Sequence, residues 1–300
     1  MPEDTIVIRN VTKSFRETVA VRNLSLTVRH GTICGLLGPN GSGKTTTLRM
    51  VLTILLPDDG EILLWGRPPE ELVRERVGYL PEERGLYEKM RVLDHLVFLA
   101  ELHGVSRTVG RDRAMRWLGE YEAASWARRT VEELSKGQQQ TVQLIGALVH
   151  EPDLVVLDEP FAGLDPVNVA RLRELIRRLR DEGRTILLST HRMEQVEQLC
   201  DDICLIARGE EVLSGTLRQV KARFGRNVVS VVMDGPDDFL RPDDLVASAE
   251  RRADGVRVQL RRGVDPQDLL RSALATGRVR KFELVEPSLD EIFVEAVTGR

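Results

Sequence analysis

The arrangement of hydrophobic and polar positions predicts two kinds of strand. Residues 5–9 and 24–28 alternate apolar and polar side chains, which is typical of half-exposed antiparallel strands. Residues 33–37 form a continuous apolar run, which favours a strand buried on both faces of a parallel sheet. Similar apolar runs predict buried strands over 154–157 and 186–189. Both kinds together predict a mixed sheet core with an antiparallel β portion.

Helical periodicity appears between these strands. A helix is predicted over residues 45–55, directly after a glycine-rich turn. Residues 83–135 show apolar positions at helical spacing without a strand signal, which indicates a mainly helical insert. Between the last two buried strands, apolar residues recur at i, i+3, i+4 and i+7, and this predicts a crossover helix; they are Leu172, Leu175, Ile176 and Leu179. The alternation of strands and helices indicates an α/β layered fold.

The pattern changes again after about residue 211. Ser288 followed by Glu291 forms a capping-box signature, which predicts the start of a final helix. About ninety residues lie in this segment, enough for a small α+β domain. Strands are predicted over 227–233, 256–260 and 278–285, and helices over 266–275 and 289–297.

Composition excludes several classes of protein. Of the 300 residues, 42% are hydrophobic and 30% charged, a balance that disfavours disorder and coiled coils. The net charge of −4 argues against a nucleic-acid partner. No apolar run approaches the roughly 20 residues needed to cross a bilayer. The first ten residues, MPEDTIVIRN, lack the features of a signal peptide. We therefore expect a cytoplasmic chain, for which another chain would supply any membrane part.

A glycine-rich loop follows the first buried strand and matches G-x-x-x-x-G-K-[ST] at every fixed position. Its glycines allow successive backbone N–H groups to point inward and surround a phosphate. The helix that follows directs its positive dipole end at the same group. We predict that Lys44 reaches the β- and γ-phosphates and that Thr45 binds Mg²⁺. The loop consists of Gly38, Pro39, Asn40, Gly41, Ser42, Gly43, Lys44, Thr45 and, at its end, Thr46.

A second group of candidates follows the buried strand over 154–157. Asp158 and Glu159 come directly after its apolar run. Beside a phosphate-binding loop, Asp158 is suited to hold Mg²⁺ through a water molecule. Glu159 is suited to polarise the attacking water as a general base. Upstream, Ser135 is a good N-cap, and Gly137 follows it at the start of a helix.

Six motifs occur in the order typical of the ABC (ATP-binding cassette) ATPases, and over roughly residues 4–220 the chain resembles that family. The resemblance implies a P-loop NTPase fold, ATP and Mg²⁺ as ligands, and two copies facing head to tail. Each ATP would then lie between the Walker A loop of one copy and the signature of the other. By the same resemblance the signature contributes Ser135, Gly137 and Gln138, the D-loop contributes Asp165, His191 contacts the γ-phosphate, and Phe15 stacks on adenine.

Two positions depart from the family pattern. The signature contains Lys136 where a glycine is commonest, and Glu82 stands where most cassettes have a glutamine. A carboxylate is a harder ligand for Mg²⁺ than an amide, so we expect Glu82 to contact the cation.

The C-terminal segment ends in the motif PSLDEIF, residues 287–293, and in this it is similar to the extension of ABC-2-type exporter ATPases. This resemblance implies a cassette over residues 4–215, with a helical subdomain over about 83–140, and an accessory domain over 216–300. It also implies ATP-driven export through a separate permease, which would contact residues 82–100 and hold the chain at the inner face of the membrane. A non-transport ABC ATPase and an importer cassette remain alternatives. The transported substrate is not predicted.

Overall fold

The computed structural model describes residues 4–83, 85–224, 228–240, 244–252, 255–261 and 263–298. The chain divides into two compact units, Met1–Gly215 and Thr216–Arg300. Within the described ranges, no helix is both long and apolar enough to cross a membrane. The strands of the first unit are β1 (Ile6–Phe15), β2 (Thr18–Val28), β3 (Ile33–Leu37), β4 (Asp59–Leu64), β5 (Val77–Leu80), β6 (Leu154–Asp158), β7 (Thr185–Thr190), β8 (Asp202–Ala207) and β9 (Glu210–Thr216).

An antiparallel sheet has the strand order β2-β1-β4. Ile6 of β1 pairs with Val28 of β2 on one side and with Leu64 of β4 on the other. The alternation seen in residues 5–9 and 24–28 therefore lies in this sheet, as predicted. Both strands extend beyond the predicted ranges: β1 continues to Phe15 across register shifts that begin after Ile8, and β2 begins at Thr18.

The larger sheet has the strand order β5-β6-β7-β3-β8-β9. β3 lies between β7 and β8 and is parallel to both, while β6 is parallel to β5 and β7. Every residue of β3, β6 and β7 is buried, which explains their continuous apolar runs. Since these strands are parallel and adjacent, their carboxyl ends meet at one edge of the sheet.

The helices of the first unit connect and cover this sheet. α6 buries one stripe, which includes Leu172, Leu175 and Leu179, as its periodicity predicts. α1 ends four residues earlier than predicted, because Thr53 adopts a left-handed backbone with φ 57°. The helices are α1 (Lys44–Val51), α2 (Leu72–Arg76), α3 (Val92–Leu102), α4 (Arg107–Glu120), α5 (Lys136–Leu148), α6 (Pro166–Asp181) and α7 (Met193–Leu199).

The region predicted as a helical insert contains α3 and α4, two short 3₁₀ turns and the start of α5. Leu96 of α3 and Trp117 of α4 are buried. An isolated β-bridge joins Arg91 to Thr130 and brings the two ends of this region together.

The second unit contains an antiparallel sheet in the order β11-β12-β10-β13. Its core includes Val229, Val258, Phe239 and Leu269. The Ser288–Glu291 capping box is formed, with a hydrogen bond of 2.7 Å from Ser288 N to the Glu291 carboxylate. The elements are α8 (Leu217–Phe224), β10 (Val228–Asp234), β11 (Val246–Arg252), β12 (Gly255–Leu260), α9 (Pro266–Thr276), β13 (Arg278–Val285) and α10 (Leu289–Thr298). β11 was not predicted, and residue 227, the predicted start of β10, lies outside the described residues.

Candidate functional site

The loop between β3 and α1 has a backbone that requires glycine. Gly38, Gly41 and Gly43 have φ values of 150°, 76° and 108°. A Cβ on Gly38 would lie 2.1 Å from the carbonyl oxygen of Ile206, and one on Gly43 would lie 2.5 Å from that of Ala20. Glycine therefore allows both the turn and the close approach of neighbouring strands. The loop is followed at once by the N-terminal end of α1, where the helix dipole favours an anion.

Lys44 is buried under this loop. Its Nζ donates hydrogen bonds to the carbonyl oxygens of Gly38, at 2.9 Å, and Pro39, at 3.2 Å. The same atom lies 3.6 Å from Oε1 of Glu159, whose side chain is also buried. This ion pair joins the phosphate loop to the turn after β6.

Thr45 and Asp158 form a group of oxygen atoms suited to a hard cation. The Thr45 hydroxyl donates to Oδ1 of Asp158 at 3.3 Å, and the Ser189 hydroxyl donates to the same oxygen. Among the described residues, the buried Oδ2 of Asp158 has no hydrogen-bond partner. A buried carboxylate oxygen without a donor, beside a threonine hydroxyl, fits Mg²⁺ bound directly or through water.

Glu159 occupies the turn after β6. It is a non-glycine residue in the left-handed region, with φ 46°, and its N–H donates to Ser189 O at 3.1 Å. This backbone conformation is costly and is retained mainly where neighbouring contacts impose it. His191, which follows β7, donates from Nδ1 to Glu159 Oε1 at 3.0 Å.

A cleft of about 340 Å³ opens beside the loop. Phe15, at the end of β1, is 46% exposed and lines this cleft. Glu82 lies on the segment after β5 and lines it as well. The described residues that line the cleft are Phe15, Ala20, Asn40, Gly41, Gly43, Lys44, Thr45, Thr46, Glu82 and Glu159.

The signature residues do not line that cleft. Ser135 is the N-cap of α5 and forms a capping box with Gln138, whose Oε1 accepts from Ser135 N at 2.9 Å. Ser135, Lys136 and Gly137 are exposed. Gly137 lines a separate small cavity together with residues of α6. Within one chain, the structure therefore leaves the signature outside the phosphate-loop cleft.

Asp165 also lies outside the cleft. It is the N-cap of α6 and accepts hydrogen bonds from the N–H groups of Asn168, at 3.1 Å, and Val167, at 2.9 Å. The N–H of Asn168 is the main cause that holds the pKa of Asp165 below its ordinary value. In one chain, Asp165 therefore begins a helix and remains exposed.

Sequence reasoning missed several residues that support the site. Ser189 bonds both Asp158 and the N–H of Glu159. Gln143 of α5 donates to backbone oxygens on both sides of Glu82. Lys13 lies 5.8 Å from the centre of the Phe15 ring. A polar residue on a helix or at a strand end carries no signal of such contacts, so motif patterns do not find them.

Two known protein families match separate parts of the chain. Residues 21–162 match the ABC transporter family. Residues 215–297 match a family described as the C-terminal domain of DrrA1-3-like ATP-binding proteins.

Similar proteins extend over nearly the whole length. The ABC transporter ATP-binding protein YhaQ of Bacillus subtilis is 43% identical over 97% of this chain and 98% of its own length. The Nod factor export ATP-binding protein I of Burkholderia lata is 36% identical over 100% of this chain and 99% of its own. The dimeric structure of MJ0796, a bacterial ABC transporter cassette, has a TM-score of 0.66 and 25% identity, covering 71% of this chain and 99% of that one. The chain belongs to the ABC transporter family as an ATP-binding subunit, and the members of this family hydrolyse ATP.

Proposed function

We propose that this chain drives export through a separate membrane permease, and that two copies close on two ATP molecules during each cycle. The observation that carries the proposal is a division within the chain. Lys44, Thr45 and Glu159 line one cleft, whereas Ser135 and Gly137 are exposed outside it. A chain with a complete phosphate loop and an exposed signature is suited to receive the signature of a second copy.

In the proposed reaction, the cleft residues act on the γ-phosphate of ATP. Lys44 binds the β- and γ-phosphate oxygens through its ammonium group. As Glu159 accepts a proton from the attacking water, the water oxygen bonds to the γ-phosphorus. The bond between the γ-phosphorus and the bridging oxygen breaks, and that oxygen leaves with ADP. His191, hydrogen-bonded to Glu159 at 3.0 Å, orients this carboxylate and contacts the γ-phosphate.

Thr45, Asp158 and Glu82 are the residues that would hold Mg²⁺, and their oxygen atoms fit it. The cation supplies positive charge that neutralises the phosphate oxygens. Phe15 lines the same cleft and offers an exposed aromatic face to the adenine ring.

In the closed pair, each signature completes the cleft of the other copy. Ser135, Gly137 and Gln138 then contact the second ATP from the N-terminal end of α5, where backbone N–H groups favour an anion. Asp165 meets the second copy in the same interface. The dimeric cassette to which this chain is similar supports such an arrangement.

Export is supported by the similarity to a Nod factor export ATP-binding protein over the full chain. The permease surface is proposed at residues 82–100. There Tyr87 is 54% exposed and makes edge contacts with His95 and Phe98. Residues 4–215 form the cassette and 216–300 an accessory domain, and the chain acts at the cytoplasmic face of the membrane.

The proposal is tested with Glu159→Gln. This variant retains the shape of the side chain but removes the base, so we expect ATP to bind and turnover to stop. Size-exclusion chromatography with ATP and Mg²⁺ should then show a dimer. The same variant with ADP is the control and should remain a monomer. A monomer in ATP and Mg²⁺, at concentrations that saturate binding, would exclude the proposed dimer.

The permease surface is tested separately with Tyr87→Ala. We expect ATP hydrolysis by the purified chain to stay within twofold of the original, because Tyr87 does not line the cleft. Co-purification with the membrane permease should be lost. Leu102→Ala removes another exposed apolar side chain, outside residues 82–100, and serves as the control. Unchanged co-purification of Tyr87→Ala would contradict the proposed surface.

A further inference from the structure

Gln143 of α5 is a polar residue in a buried position, with 8% of its surface exposed. Its Nε2 donates two hydrogen bonds, to Pro81 O at 3.2 Å and to Glu83 O at 3.1 Å. An amide nitrogen has two hydrogens, so both donors of Gln143 are used. Both accepting carbonyls belong to the segment that follows β5.

The two carbonyls flank Glu82 on either side. One side-chain amide therefore holds the peptide group before Glu82 and the carbonyl of the next residue, Glu83, and so restrains the direction in which the Glu82 side chain leaves the backbone. Glu82 itself is exposed and lines the nucleotide cleft. An exposed side chain on a loop keeps one position only when its backbone is held from elsewhere. Gln143 supplies that support.

The same helix supports the other carboxylate of the cleft. Gln140, one turn before Gln143, donates to Pro160 O at 3.4 Å, directly after Glu159. The first turn of α5 carries Ser135. A single helix thus contacts the segments of Glu82 and Glu159 and also carries the signature.

We propose that Gln143 is a positioning residue that holds Glu82 where it can contact Mg²⁺. This inference rests on the proposed role of Glu82 in the nucleotide cleft. Gln143 is not among the described residues that line the nucleotide cleft, so its effect passes through the backbone of Glu82.

The test is a double-mutant cycle in the Glu159→Gln background, in which nucleotide binds without turnover. Gln143→Met retains the length and volume of the side chain but removes both hydrogen bonds. The measurement is the Mg²⁺ concentration that gives half-maximal binding of a fluorescent ATP analogue. We expect this concentration to rise about fivefold, because the two lost hydrogen bonds act on the cation only through the backbone of Glu82, with binding in EDTA unchanged. When Glu82→Ala is already present, Gln143→Met should add nothing.

Three results would overturn the inference. The first is that Gln143→Met raises the half-maximal Mg²⁺ concentration equally whether or not Glu82→Ala is present. A general packing defect would behave in this way. The second is an equal shift from Gln140→Met, because loosening α5 anywhere would then suffice. The third is no shift from Glu82→Ala alone. In each of these cases Glu159→Gln would still form a dimer with ATP and Mg²⁺. Failure of the proposed function would instead abolish that dimer, so the two failures are distinguishable.

Discussion

The Thr45 hydroxyl donates a hydrogen bond of 3.3 Å to Oδ1 of Asp158, although 113 positions separate the two residues. This bond joins the phosphate loop to the end of β6. It uses only one oxygen of the carboxylate. Among the described residues, the buried Oδ2 has no partner, and burial of such an atom is unfavourable unless a ligand or water reaches it.

Replacing Asp158 with Asn tests this carboxylate. The amide retains the size of the side chain but loses the negative charge that would face the cation. We expect ATP turnover at saturating Mg²⁺ to fall by at least about 100-fold, the scale seen when one group that stabilises transition-state charge is lost. Thr45→Ser keeps the hydroxyl and is the control, with turnover expected to stay much closer to the original. Turnover of Asp158→Asn within twofold of the original would contradict a role in cation binding.

A second prediction concerns Asp58, which lies beside the Phe15 strand end. Its carboxylate accepts from Lys13 Nζ at 2.6 Å and from Ser14 N at 2.7 Å. These contacts, above all that with Lys13, hold the pKa of Asp58 below its ordinary value. Since Lys13 also lies over the Phe15 ring, we expect Asp58→Ala to disturb the adenine contact. KM for ATP should rise about two- to fivefold with kcat unchanged, as for a modest surface ion pair.

Competition by inorganic tripolyphosphate distinguishes this effect from a general distortion of the cleft. Tripolyphosphate lacks the adenine ring, so its inhibition constant should be the same in Asp58→Ala and in the original chain. Equal weakening of ATP and tripolyphosphate would refute the assignment of Asp58 to the adenine contact.

The phosphate loop offers a matched pair of glycines. Gly43 and Gly41 both have positive φ, but a Cβ on Gly43 would meet Ala20 O at 2.5 Å, whereas nothing lies within 4 Å of one on Gly41. Gly41→Ala should therefore lower the free energy of unfolding by about 1 kcal/mol, from backbone strain alone. Gly43→Ala should cost about 2–4 kcal/mol, because strain and a steric clash add. Urea unfolding measures both, and equal losses would contradict this explanation.

His95 predicts a specific sensitivity to acid. It is fully buried, and within the described part of the chain neither ring nitrogen has a hydrogen-bond partner. Burial lowers its pKa to about 4. The unfolded chain therefore binds a proton below pH 6.5 that the folded chain binds only near pH 4. Stability is lost as the pH falls through this range.

His95→Phe removes this proton linkage while retaining an aromatic ring beside Tyr87. When the pH falls from 7 to 5, the unfolding free energy of His95→Phe should decrease by about 1–2 kcal/mol less than that of the original chain. Phe98→Leu changes a neighbour without adding or removing a titrating group, so it should shift stability equally at both pH values. An unchanged pH dependence in His95→Phe would show that folding does not lower the pKa of this ring.

The strand–loop–helix unit around Lys44 could be predicted from the sequence, because its apolar run and glycine spacing are local signals. Val77–Leu80 and Asp202–Ala207 were missed as strands. Each is a short apolar run next to charged residues, and only pairing within the large sheet identifies it. Helix α1 was predicted too long, since its apolar residues continue beyond Thr53 whereas its helical backbone ends at Val51.

For the candidate site, sequence motifs identify side chains but not their distances. The spacing of Asp158 from Lys44 does not reveal that Ser189 bonds the same carboxylate, because this contact depends on the pairing of β6 with β7. Nor does a glutamine in the middle of α5 indicate a bond to the Glu82 segment. Such contacts arise from tertiary packing, for which a single sequence carries no pattern.

The position of β3 between β7 and β8 has a consequence for synthesis of the chain. The strand that leads into the phosphate loop is complete at Leu37, but its two neighbours are Thr185–Thr190 and Asp202–Ala207. During translation, about 150 further residues must therefore be synthesised before either edge of β3 can pair. Parallel pairing between strands so far apart in sequence also forms slowly. A chain truncated before Thr185 would contain the whole loop and yet lack both strands that hold it. Ribosome-bound chains of increasing length should gain nucleotide binding only after this point has emerged.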